Sequence, residues 1–108
     1  YAKVCDISMT PFLKNGDIVF YKIYSKNKFA LKIGDIVIFK HPLLNINSVK
    51  RITKLTEFGV EVCGDNKECS KDSSNFFGFI QKERIIGIVM FHITNYGFLN
   101  LKNLLSNK

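Results

Sequence analysis

Histidine is scarce: only His41 and His92 occur, and neither has the partners of a hydrolase elbow motif. A Ser-His-Asp triad therefore has little to draw on. Cysteine is equally sparse. Cys5, Cys63 and Cys69 make an odd count, which argues against a closed disulfide framework. None belongs to a CxxC pair and both histidines lie far away in sequence, so no structural zinc site is expected, and a reducing compartment is the simpler setting. Long apolar runs are missing too. None reaches the roughly 18–20 residues that cross a bilayer, and the longest, Ile85–Ile93, reads as a buried strand. No signal peptide is visible. The chain as given is expected in the cytoplasm; membrane association would follow if an anchoring segment preceded Tyr1.

Charged residues make up only 23% of the 108 residues and apolar ones 46%, a balance that excludes a disordered chain and fits one small domain. The formal net charge of +7 would suit nucleic acid, an anionic membrane surface or an acidic partner. The lysines are spread along the chain, however, and the densest run, Lys22 to Lys32, reads as a solvated loop. Without a helix-turn-helix, RNA-binding or zinc-finger pattern, no nucleic-acid partner is expected.

What the chain does have is strands. Ile18–Tyr24 and Ile36–Lys40 are β-branched and aromatic runs, each opened by Gly-Asp. Ser48–Leu55 and Gly59–Cys63 flank a short connection and predict a hairpin. Lys14-Asn15-Gly16-Asp17, Ile33-Gly34-Asp35 and the stretch from Gly64 to Gly78 are rich in turn formers. Helix signals are few: Met9–Leu13 has room for one turn, and Leu99–Leu105 is weakly amphipathic. The expected fold is mainly β, a small coiled antiparallel sheet or partial barrel with little helix. Residues 1–93 form the expected catalytic domain and 94–108 a C-terminal tail. The likeness of Gly16-Asp17-Ile18-Val19 to Gly34-Asp35-Ile36-Val37 is read as two strands begun by the same turn chemistry.

Three segments carry chemistry. Ser8, in Ser8-Met9-Thr10-Pro11, sits at a turn that can expose a hydroxyl, which needs a base to become a nucleophile. Lysine is the base left over once histidine is set aside, provided burial favours its neutral form. Lys50 lies in a strand whose alternation puts it on the face of Ser48 and Ile52, with Arg51 opposite. On its own, such a lysine reads as a solvent-facing residue. The third segment, Gly64-Asp65-Asn66 followed by Ser70-Lys71-Asp72-Ser73 and Phe77-Gly78, is a polar loop able to make many internal hydrogen bonds. Its spacing is not that of a calcium loop.

Taken in order, Ser8-Met9-Thr10-Pro11, Gly16-Asp17, Gly34-Asp35-Ile36-Val37, Lys50-Arg51 and Gly64-Asp65-Asn66…Ser70-Lys71-Asp72-Ser73…Gly78 resemble the boxes of the signal peptidase I family. The resemblance implies a serine endopeptidase with Ser8 as nucleophile and Lys50 as general base. It implies that Ser70 orients the lysine and Asp72 braces the site. The Ser8 backbone N–H would help hold the oxyanion, and Met9 and Val49 would line the pocket for a small side chain before the cleaved bond. No cofactor or metal is implied. Asp6 departs from the pattern: it stands where the family often has Ser or Gly, and an ionised carboxylate cannot donate to an oxyanion. Phe12 replaces the usual threonine, and Cys69 and Ser74 also differ.

The implied partner is a precursor protein with an N-terminal extension. Ile38-Phe39-Lys40-His41-Pro42 resembles the strand end of the compact, anchor-free members that process the nickel superoxide dismutase precursor, which is the expected substrate. The alternative is a general signal peptidase I acting on exported preproteins, its anchor missing from this chain. The non-enzymatic alternative is an inactive scaffold like the repressor domains of the related self-cleaving clan.

Overall fold

The computed structural model describes residues 1–3, 9, 12–26, 30–66 and 78–94. Six strands account for most of them: β1 (Ala2–Lys3), β2 (Ile18–Ile23), β3 (Ile36–Lys40), β4 (Asn47–Thr56), β5 (Gly59–Cys63) and β6 (Ile85–Ile93). They form one antiparallel sheet in the order β1-β2-β6-β3-β4-β5. The mainly β fold expected from the alternating runs is the one observed, and β3, β5 and β6 have the expected bounds. β1 was not anticipated: two residues carry no periodicity. Nor was the single 3-10 turn, Lys82–Arg84. The tail at 99–105 lies outside the described residues.

β3, β4 and β5 follow one another as a meander, and β6 then returns to lie between β2 and β3. This places β3 at the centre. Its first four residues are all buried, because both faces of the sheet are covered. Val37 and Phe39 point to one face, where they pack with Ile52, Val60, Val62, Ile80, Ile85 and Ile88. Ile36 and Ile38 point to the other, where they pack with Met9, Leu13 and Val19. Register shifts at Phe20/Tyr21, Ile38/Phe39 and Ile52/Lys54 give the sheet its coil.

The two Gly-Asp boxes are the same turn built twice. Asp17 N–H donates to the Lys14 carbonyl at 2.9 Å, while an Asp17 carboxylate oxygen accepts the Lys14 N–H at 2.9 Å. Asp35 repeats both bonds with Lys32, at 3.0 and 2.9 Å. The glycine before each aspartate has a positive φ, 92° at Gly16 and 96° at Gly34. This is the third position of a type II turn, where a Cβ is disfavoured. Each turn thus delivers an apolar strand into the sheet from a fixed starting point.

A methyl at Gly34 would meet no atom within 4 Å, so alanine there costs backbone conformation alone. Gly34→Ala is expected to destabilise the protein by about 1–2 kcal/mol, read as a lower urea midpoint with unchanged slope.

Candidate active site

β4 carries the residues that matter most, and its alternation sends them to different places. Ser48, Lys50 and Ile52 are buried, while Val49 and Arg51 are partly buried on the other face. Lys50 is 1% exposed, among the most completely buried side chains described. Its register partner on β3 is Val37, itself fully buried, and Ile88 of β6 lies beyond it in the same row. The expected face for Lys50 is therefore the observed one, and it is a core face rather than a solvent face.

Val49 joins the opposite cluster, packing against the group that holds Met9, Leu13, Val19, Ile36 and Ile38. The two residues expected to line a side-chain pocket, Met9 and Val49, are thus brought together. Leu13 N–H donates to the Met9 carbonyl at 2.8 Å and ties the two buried side chains to the same cluster. Ser8, Ser70 and Asp72 lie outside the described residues, as do Asp6, Cys5 and Cys69.

Arg51 is the residue that sequence reasoning placed but did not use. Its Nε and Nη2 donate to the two carboxylate oxygens of Asp65, both at 2.9 Å. Its Nη1 donates to the Gly34 carbonyl at 2.9 Å. Its guanidinium carbon also lies 5.1 Å from the centroid of the Phe12 ring, within cation–π reach. One planar side chain therefore joins the turn after Ser8-Met9-Thr10-Pro11, the second Gly-Asp turn, and the Gly64-Asp65-Asn66 segment. The hydrogen bonds to Asp65 push the Arg51 pKa up, against the opposing effect of partial burial, so the clamp stays charged. The sequence signal was an arginine next to an apolar-face lysine, with a Gly-Asp-Asn segment downstream to receive it.

This clamp also positions the polar segment relative to Lys50. The last register pair between β4 and β5 is Arg51 with Cys63. One step further, where β4 reaches Lys50, β5 has ended and the chain continues through buried Gly64 into Asp65 and Asn66. At Lys50 β4 is therefore paired with β3 through Val37, while its ladder with β5 has stopped one residue earlier, at Arg51. Cys63 keeps a free thiol. Among the described residues no group of three or more His, Cys, Asp or Glu side chains could hold a metal. No helix among them is long and apolar enough to cross a membrane.

Residues 2–56 match the family model described as signal peptidase, peptidase S26. The chain belongs to this signal peptidase family. The match spans Ser8, both Gly-Asp turns and the Lys50-Arg51 pair, and membership carries peptidase activity on precursor proteins. Neither a curated protein nor a solved structure matches the chain.

Arg51→Lys keeps the charge but loses the two-pronged grip on Asp65 and the reach to Gly34. It is expected to cost about 1–3 kcal/mol. A double-mutant cycle with Asp65→Asn should show coupling between the two positions rather than additive losses.

Proposed function

We propose that this chain is a serine endopeptidase in which Ser8 is the nucleophile and Lys50 the general base, and that it removes an N-terminal extension from a precursor protein. The observation that carries the proposal is the burial of Lys50 on an apolar sheet face, within the segment matched to the signal peptidase family. Removal from water disfavours an ammonium relative to an amine, and only the amine can accept a proton.

The Lys50 amine takes the Ser8 hydroxyl proton as Ser8 Oγ bonds to the scissile carbonyl carbon. The tetrahedral oxyanion collapses, the C–N bond breaks, and the Lys50 ammonium returns the proton to the leaving amine. Lys50 then takes a proton from water as that oxygen attacks the acyl-enzyme, and returns it to Ser8 Oγ as the acid product leaves. The Ser8 backbone N–H helps hold the oxyanion, with Ser70 orienting the amine and Asp72 bracing it from behind. Met9 and Lys50 belong to opposite faces of the sheet, so in this reading Ser8, directly before Met9, meets the amine past the end of β5. Met9 and Val49 supply the apolar wall against which a small substrate side chain rests.

Within precursor proteins, the narrower proposal is a nickel superoxide dismutase precursor processed in the cytoplasm, supported by Phe39-Lys40-His41-Pro42 at the end of β3. The competing substrate is an exported preprotein. Incubating wild-type and Ser8→Ala protein with each, and reading the products by intact mass, separates them. Ser8-dependent trimming of the dismutase precursor alone is expected; trimming of the preprotein alone would replace that substrate.

Lys50→Arg keeps a positive charge at every working pH and is expected to lower kcat/KM by at least about 1000-fold. The wild-type rate should rise with pH as the ammonium loses its proton. A rate flat from acid to neutral pH, or near-wild-type turnover by Lys50→Arg, would remove Lys50 from the role of base.

A further inference from the structure

The sheet face that carries Met9 and Val49 does not stay apolar along its length. β3 and β4 run in unbroken register from Ile36–Arg51 to Lys40–Asn47. Alternation puts every second pair on one face, so the pairs Ile38–Val49 and Lys40–Asn47 are neighbours there. Ile38 and Val49 belong with Met9 to one apolar cluster. Lys40 and Asn47 stand one alternation step further along, roughly 7 Å away, and both are exposed. Within that step the face changes from apolar to cationic.

A cavity of about 350 Å³ opens at this point. Lys40 and Arg84 bring positive charge to its lining, and Asn45 and Asn47 bring amides. Arg84 comes from the 3-10 turn before β6 and is anchored by donating from Nη1 to the His41 carbonyl at 3.4 Å. The connection between β3 and β4 is fixed from within by His41, whose side chain is buried. Its Nδ1 accepts the N–H groups of Leu43 and Leu44, both at 3.0 Å. Its own N–H donates to the Ile46 carbonyl at 2.9 Å, which closes the loop that presents the two asparagines. Among the described residues no acid lines the cavity: Glu83, next to Arg84, pairs with Lys26 at 3.7 Å instead. Two cations and two amides without a local counter-charge are a donor set that suits a carboxylate.

We propose that this cavity is a substrate subsite for an acidic side chain of the precursor, two residues from the side chain that rests against Met9 and Val49, an assignment that rests on the serine peptidase reading for the role of that wall. In an extended chain alternate side chains share a face and stand roughly 7 Å apart, the same spacing that separates the Ile38–Val49 and Lys40–Asn47 pairs. A chain laid along the face thus sets one side chain on the wall and the next but one at the cations. Asn47 lies three residues along β4 from Lys50, roughly 10 Å, so the carboxylate is held away from the bond that is cleaved. Such a contact is made equally in the ground state and the transition state. It therefore governs affinity and the choice among precursors, not the rate of the chemical step. The net charge of +7 acts in the same direction, drawing acidic segments toward the protein.

The probes are synthetic peptides of serine and glycine with a single alanine for the Met9–Val49 wall and one glutamate two residues before or two residues after it; the controls carry glutamine in its place. Binding to the Ser8→Ala protein is followed by NMR titration. One of the two glutamate peptides is expected to bind at least about tenfold more tightly than its control, with the side-chain amide signals of Asn45 and Asn47 shifting and the preference shrinking as salt is added. Lys40→Gln should remove most of that preference and Lys40→Glu all of it. Lys40 is exposed, so both variants should keep a thermal midpoint close to that of the parent. Equal binding of the glutamate and glutamine peptides at both positions overturns the proposal, as does a preference that survives Lys40→Glu. Tighter binding of inorganic phosphate than of either glutamate peptide overturns it too and reassigns the cavity to a free anion. Cleavage of the same peptides by the wild-type protein separates this inference from the reading beneath it. Glutamate should lower KM with kcat little changed, and an effect on kcat alone counts against the subsite. A Lys40-dependent binding preference with no cleavage of any peptide upholds the carboxylate site and removes the peptidase reading.

Discussion

Strict alternation along three residues of β4 is the constraint on which the rest of this structure depends. Val49 and Arg51 must leave the strand on one face and Lys50 on the other. Val49 meets the Met9 cluster, Arg51 reaches Phe12, Gly34 and Asp65, and Lys50 enters the larger core. A slip of one residue in register would reverse all three at once, taking the lysine to the outer face and the guanidinium into the core. The Gly34-Asp35 turn holds that register, with Ile52 N–H donating to the Asp35 carbonyl and Gly34 N–H to the Ile52 carbonyl, both at 2.8 Å.

Burying a lysine is costly, and a small domain has little stability to spare. Lys50 is 1% exposed, and the cost falls on its charged form. The bidentate Arg51–Asp65 pair then holds the start of the polar box next to it. This division of labour distinguishes adjacent Lys50 and Arg51: the first is buried on a core face, while its neighbour is kept charged by a carboxylate and used as a clamp.

Much of the fold was legible in the sequence because the strands obey simple chemistry. Gly-Asp opens two of them, β-branched residues fill them, and β3 and β6 read as apolar runs of strand length. The face of Lys50 followed from alternation, but its burial did not, because a lysine in an alternating strand has no local signal that says whether a second layer covers it. That depends on how distant segments fold over the face, a long-range choice that no short window contains. Arg51 was assigned a face without a task for the same reason: Phe12, Gly34 and Asp65 are scattered in sequence and meet only in the folded sheet. His41 was given no structural task from sequence, because the two backbone N–H groups that its Nδ1 accepts, from Leu43 and Leu44, come within reach only when the loop closes around it.

Titration of one side chain decides whether Lys50 can serve as a neutral base in the folded protein. Carbon-13 labelling of the lysine ε positions, with the Lys50 signal assigned by its loss in Lys50→Arg, would follow its protonation by NMR. A Lys50 that acts as the base is expected to titrate well below the other lysines, in the same pH range over which peptide cleavage rises. A Lys50 that stays charged until the surface lysines titrate, near the usual value of about 10.4, would contradict it.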